Sequence, residues 1–513
     1  MTRRKQRFFR KGEGERHPHP AAVLFYTKRL WYLLLIPALR GLYYGLTAGP
    51  DSWTDTLWMD FLAVGGVLAF GWFCWLGVRY RLEEEKLVLS QGLVFRRERR
   101  IPLNRVHGLA LRTPLILNPF SLSFLSLKTL GGRAETPDFS LLLSQSQASA
   151  LEQAVSLPAP SSPVESYRPR ARHVALFSLL CSNSLGGVLL LGALLSRGGS
   201  LIGQQLERQF AGALEEAAQR LAVGVPIAAA AASLLLLAGW MLGFFNSLAR
   251  HYRMQVCRWK GCLQISAGLF SRRQYRLREK QVTAAAIRQP LLAFLFKRET
   301  LWLHWAGVKE KKEGLQALLL ASPRKETSRF LKAFLPSFCL PLALSEQRGV
   351  RLWEKEGKGG CEKTLLRPPI RALPRYIGLP LGWTLFPPLA AGFLCLLEPS
   401  LERILRFSGW LAAIPAAVSF FCALAGFFRA GLWMEGGVAA VCSPRRFSFE
   451  TLLVPMEQIK QVRIRRSVWQ RMGQECDLFL SFGQDRWETV HLKSVSFPLL
   501  KARLEKEGLT PSI

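Results

Sequence analysis

LVLSQGLVFRRERRIPLNRV (87–106) and LQISAGLFSRRQYRLREKQV (263–282) are one passage written twice. Gly92 matches Gly268, Val106 matches Val282, and Pro114-Leu115 matches Pro290-Leu291, all 176 residues apart. In each copy a β-prone run meets a turn, Gln91-Gly92 or Ala267-Gly268, and continues into a basic run. Glycine there supplies the positive φ that a tight hairpin often needs. Ile101-Pro102 recurs as Val454-Pro455, and Val106 as Ile459, at 353 residues, about two such periods. In this third copy Pro444 stands where the turn glycine should be. Each copy closes on a helix-like segment: SQSQASALEQAV, SPRKETSRFLKAFL and SFPLLKARLEKE. Strands with turn signals, ended by one helix, should form a complete two-layer core.

Outside these passages the chain is apolar. Six stretches, 30–48, 57–78, 174–196, 221–248, 376–397 and 408–428, suit helices that cross a membrane. About 20 helical residues cross a hydrocarbon core of about 30 Å. They fall in pairs, one pair before each β-rich copy. The predicted order is therefore a basic tail (1–29), hairpin 1 (30–78), β-domain 1 (79–156), a Pro/Ser-rich linker (157–173) and hairpin 2 (174–249). β-domain 2 (250–336), a charged linker (337–375), hairpin 3 (376–430) and β-domain 3 (431–508) complete it.

Charge sets the expected orientation. The chain of 513 residues carries 69 Lys+Arg against 36 Asp+Glu, a net +33, with 49% hydrophobic residues. Apolar spans with cationic flanks explain both figures; a nucleic-acid binder would explain only the charge. The loop 49–56 carries Asp51 and Asp55 and no cation, and 197–220 and 398–407 are each balanced. The positive excess falls on the other side. This places both termini and the β-domains in the cytosol, at the cytoplasmic membrane.

Arg16-His17-Pro18, IPLNRV (101–106), PLILNPF (114–120), LKTLGG (127–132) and WQRMG (469–473), in this order and spacing, resemble the YdbT-like group of bacterial pleckstrin-homology (PH), or membrane-flanked domain, proteins. The second copy has LHWAG in place of TLGG, and the third lacks the turn glycine. The resemblance implies a multi-pass α-helical membrane protein with three cytosolic PH-like β-sandwich or barrel domains, each closed by a C-terminal helix. It also implies a shorter one-repeat relative as a partner, with self-association as the alternative.

Candidate sites are few. Arg96, Arg97 and Arg99 follow the first hairpin turn, and Arg272 and Arg273 repeat the first two. They read either as ligands for anionic membrane lipids or as solvated edge-strand charges that block aggregation. Arg40 and Asp60, in consecutive spans, read as an intramembrane ion pair, part of a transport path or a hairpin clamp. Ile202, Leu206, Phe210 and Leu214 mark an amphipathic helix on the outer side. Walker, GxSxG, HExxH and CxxC patterns are missing from the sequence, and the ten cysteines are scattered. The expectation is a non-enzymatic scaffold without metal or cofactor, in envelope stress or resistance to membrane-active peptides. A transporter subunit is the alternative.

Overall fold

The computed structural model describes residues 15–27, 57–129, 139–154, 163–181, 227–305, 317–338, 365–397 and 402–509 and the single residues 30, 212 and 216, short loops at 84–85, 93–94, 104–105, 260, 436, 446–447 and 484–487 excepted. Residues 1–14 of the basic tail, Arg40, nearly all of the 202–214 helix, most of the 337–375 linker and Gly131-Gly132 lie outside the described residues.

The first stretch gives α1 (Ala22–Tyr26), α2 (Leu57–Leu76), β1 (Arg79–Leu82), β2 (Lys86–Gln91), β3 (Arg97–Pro102), β4 (Val106–Pro114), β5 (Leu122–Thr129), β6 (Phe139–Ser144) and α3 (Gln145–Ala154). The second gives β7 (Glu165–Tyr167), α4 (Ala171–Cys181), α5 (Ile227–His251), β8 (Gln255–Trp259), β9 (Cys262–Ala267), β10 (Ser271–Arg278), β11 (Val282–Pro290), α6 (Leu291–Leu295), β12 (Arg298–Trp305), β13 (Ala317–Pro323) and α7 (Arg324–Phe334). The third gives β14 (Leu365–Leu366), α8 (Leu373–Leu397), α9 (Glu402–Arg429), β15 (Gly431–Glu435), β16 (Val438–Arg445), β17 (Ser448–Pro455), β18 (Ile459–Arg465), α10 (Val468–Met472), β19 (Glu475–Phe482), β20 (Glu488–Ser496) and α11 (Phe497–Lys506).

Two compact units result. One holds residues 1–163 with 270–278, so that β10 leaves its own stretch of chain to join the first. Its strands run β1-β2-β3 and β6-β5-β4-β10, antiparallel throughout. The inner faces of β1 to β6 meet in one core. Leu87, Leu89, Ile101, Leu109, Leu125, Leu141 and Leu143 are buried there, and α3 covers one side with Ala148 and Leu151. Gly92, at φ +105°, makes the β2–β3 turn; a Cβ there would lie 2.2 Å from the Phe95 carbonyl oxygen. The helix that closes this core is held by the borrowed strand. Glu152 of α3 forms an ion pair with Arg276 of β10 at 2.8 Å; burial pushes its carboxyl up and Arg276 opposes that shift.

The other unit holds residues 164–269 with 279–513. It contains β9-β8-β7, a seven-stranded sheet β13-β12-β11-β17-β16-β15-β14, and β18-β19-β20. Again a strand of one stretch pairs with a strand of the next. Pro290 of β11 stands opposite Ser448 of β17, just as Pro114 of β4 stands opposite Ser271 of β10 in the first unit. The last core gathers Leu432, Met434 and Val441 from one sheet, Val462, Leu478 and Leu480 from the other, and Leu500 and Leu504 of α11. Ala372 and Tyr376, at the start of α8, and Phe427, near the end of α9, belong to the same core. Tyr376 donates from its hydroxyl to the Lys493 carbonyl at 2.9 Å.

The expectation of a multi-pass α-helical membrane protein is corrected by this architecture. Among the described residues one helix, Ile370–Leu397, is long and apolar enough to cross a membrane, and the strands form several antiparallel sheets. Of the apolar stretches 57–78 and 174–196, the first gives α2, whose apolar part is Asp60–Leu76, and the second is described only as far as Ala171–Cys181, with 182–196 outside the described residues. The second of these tucks His173, Val174, Phe177 and Leu180 inside the protein. Hydropathy counts apolar side chains; it does not tell those buried against protein from those offered to lipid. Between the β-rich stretches, strands are lent from one to the next, β4 pairing with β10 and β11 with β17.

Candidate membrane-facing site

Arg96 sits just after the β2–β3 turn, where Glu15 reaches it from the chain start. Glu15 also accepts from Arg79 of β1 at 2.9 Å, and Arg96 reaches Ser90 at 3.3 Å. The Arg79 and Arg96 guanidiniums hold the Glu15 carboxyl below its usual range, although burial opposes them. The adjoining Arg16-His17-Pro18 acts through backbone and ring. Arg16 pairs with Tyr80, the Pro18 carbonyl accepts from Trp75 Nε1 at 2.9 Å, and the His17 ring lies 5.3 Å from that of Trp75.

Arg97 and Arg99 are exposed on β3, opposite Gln91 and Leu89 of β2. Being two apart they share a face of the strand. Arg272 and Arg273 are neighbours on β10 and so point to opposite faces. Arg272 is exposed opposite Thr113, while Arg273 stands opposite Arg112 on the side of buried Tyr275 and Leu277. The five arginines therefore all belong to the first unit but do not converge on one pocket. Sequence reasoning missed Glu15 and Arg79, since residues 64 and 81 positions from their partners leave no local pattern. Asp60 lies in the first turn of α2; its expected partner Arg40 is outside the described residues.

A second feature lies in the other unit, on the α8–α9 pair. The helices lie along each other, and at Gly409 a Cβ would come 2.8 Å from that of Ala391, so glycine permits the close approach. Between Arg375 and Glu398, α8 has no charged residue, and Leu379, Phe386, Leu389 and Leu396 are 76%, 64%, 68% and 82% exposed. The two helix ends nearest the sheets are fixed by arginines. Arg375 donates to Glu475 at 2.6 Å and to Ser494 at 3.0 Å. Arg429 donates to Gln289 at 2.8 Å and stacks on Phe294 and Phe449, at 5.1 and 4.9 Å from the ring centres. Gly426 lets the ring of Pro444 approach α9, since a Cβ there would be 2.4 Å from that of Pro444. Next to Glu475, Asp477 is pushed up by burial. It is nevertheless held below the usual carboxylate range by His491, the Ser494 amide and Gln470.

Residues 33–158 match the family described as the bacterial PH domain. The transmembrane protein YdbT of Bacillus subtilis (strain 168) is 23% identical over 339 residues, 61% of this chain and 63% of the relative. The chain is YdbT-like and carries a bacterial PH domain. The matched range takes in β1 to β6 and α3 of the first unit, the part that holds Arg96, Arg97 and Arg99. The chain spans less than two thirds of the length of the relative it matches.

Proposed function

We propose that this YdbT-like chain is a non-enzymatic, membrane-associated scaffold. The α8–α9 pair anchors it, and Arg96, Arg97, Arg99, Arg272 and Arg273 meet anionic lipid headgroups. The observation that carries the reading is the bare apolar surface of α8. Leaving one large apolar side chain in water forgoes about 1.5–3 kcal/mol relative to covering it. A helix lined with such residues therefore calls for an apolar medium. The printed name of the relative, a transmembrane protein, supports the same medium. Arg371, Arg375 and Arg429 stand at the end nearest the sheets, whereas at the far end Glu398 and Glu402 are balanced by Arg403 and Arg406. Under the positive-inside tendency the sheets then lie on the cytosolic side of a cytoplasmic membrane.

The anchor is tested by alkaline carbonate extraction of membranes that contain the full chain; release into the supernatant would refute it. The arginines are tested in nanodiscs holding neutral and anionic phospholipid, by measuring which lipids stay with the full chain on detergent extraction. Replacing all five by Gln should abolish the enrichment of anionic lipid. Each exposed cation near a charged leaflet contributes about 1 kcal/mol. Undiminished enrichment would return these residues to the role of solvated edge charges.

A further inference from the structure

α6, the short turn of helix after β11, has two unlike sides. Ala293 is buried and Phe294 packs on Phe449 at 5.2 Å, while Leu292, Leu295 and Phe296 are 52%, 73% and 57% exposed. Lys297 beside them is exposed as well. The place of this turn is fixed by Arg429, the last residue of α9, whose guanidinium stacks on Phe294 and bonds Gln289 at the end of β11. Leu292, Leu295 and Phe296 thus stand where the apolar helix pair meets the sheets. The corresponding place in the other two stretches also carries bare apolar side chains: Leu115 and Phe120 after β4, Trp469 and Met472 on α10.

We propose that Leu292, Leu295 and Phe296 form an interfacial membrane foot, sunk among the headgroups and upper acyl carbons of the leaflet that α8 and α9 enter. This rests on the anchor reading given above. With α9 in the membrane, Arg429 lies at the headgroup level, where a cation is stable and the chain leaves hydrocarbon. A turn packed on Arg429 sits at the same depth. Apolar side chains there bury in the boundary layer, and Lys297 meets lipid phosphate. An amphipathic element of this kind settles about 5–10 Å into the headgroup and acyl boundary. The foot would fix the tilt of the second unit on the membrane, which α8 and α9 alone leave free to swivel.

The test uses the full chain in nanodiscs of phosphatidylethanolamine and phosphatidylglycerol, with the photo-crosslinker p-benzoylphenylalanine at one position at a time. Leu295 and, in a second variant, Leu292 probe the foot. Phe386, midway along α8, probes the anchor, and exposed Lys325 on α7 is the control. Mass spectrometry should find lipid adducts at 295 and 292, near the glycerol and upper acyl carbons, deeper adducts at 386, and none at 325. Adducts at 386 with none at 295 or 292 would overturn the foot and leave the anchor standing. Adducts to a second protein chain at 295 would also overturn it, as would labelling at 325 equal to that at 295. Labelling at 295 and 292 without labelling at 386 would keep the foot and remove the anchor.

Discussion

At the residue scale, one register position carries two different chemistries. Arg112 on β4 and Arg288 on β11 each stand two residues before the proline that closes the strand pairing. Arg288 meets Glu450 at 2.8 Å, both mostly buried, whereas Arg112 meets Arg273 and donates to Ser271 at 3.2 Å. Removing one partner of a buried pair leaves a charge with little water around it, which costs about 3–5 kcal/mol. Arg288→Ala should therefore lower the unfolding temperature of the second unit markedly. The joint replacement of Arg288 and Glu450 by Met should recover most of that loss. Arg112→Ala relieves a like-charge contact at a more exposed site and should change stability by less than about 1 kcal/mol. Thermal unfolding of the full-length variants ranks the three. An Arg112→Ala effect as large as that of Arg288→Ala would show that the pairing in the second unit is not what stabilises the join. Nothing in LRTP (111–114) or in IRQP (287–290) announces this difference; it exists only once β4 and β11 have been matched to strands more than 150 residues away.

At the element scale, the join of β19 to β20 and α10 is acid-sensitive through Asp477, which accepts from the Ser494 amide and from Gln470 at 2.8 Å each. Asp477 is depressed below its ordinary value of 3.8. The stability it contributes is thus full above the unfolded value, about 4, and drains away as pH falls further through the folded value. Asp477→Asn should destabilise the protein at neutral pH and flatten the acid limb of its stability curve below pH about 4. An unchanged acid limb would show that Asp477 keeps no depressed value. A second expectation concerns the stretch 250–336, which reads in sequence as a complete β-domain. In the structure β10 pairs with β4 and β11 with β17, so that piece alone would bare two long strand edges. It should aggregate or remain partly unfolded, and a soluble, cooperative, β-rich fragment would contradict the lent-strand arrangement. What the sequence made legible follows from this. Turn glycines Gly92 and Gly268, the closing helices and the apolar α8 are local signals, and each was readable. Which strands pair across stretches is not local, because hydrogen bonds between backbones leave no mark on residue type. The burial along α4 was not readable for a different reason: its Phe177 and Leu180 are as apolar as any lipid-facing residue but are buried in the protein.

At the scale of the whole molecule, each stretch of chain lends the strand that ends in its Pro to a strand of the next: β4 to β10, and β11 to β17. Within the described residues the series runs from the strand equivalent to β10 and β17, which is β3, to the strand equivalent to β4 and β11, which is β18. Among the described residues β3 is bonded to β2 alone and β18 to β19 alone, as this requires. Among the described residues each unit thus keeps a bare strand edge, β3 in the first and β18 in the other, and pairing of such unlike edges between copies is a head-to-tail contact that can grow into open filaments. Continuing the Pro–Ser register places Arg97 against Arg465 and Arg99 against Arg463, and like charges directly opposite each other repel across a sheet. Changing Arg97 and Arg99 to Glu should turn that repulsion into attraction. Sedimentation of the full chain in nanodiscs or detergent should then show head-to-tail species that grow with protein concentration, while the natural chain does not assemble in this way. On this account the arginines beside the first turn act as a stopper, limiting a fold whose own rule of growth has no built-in end.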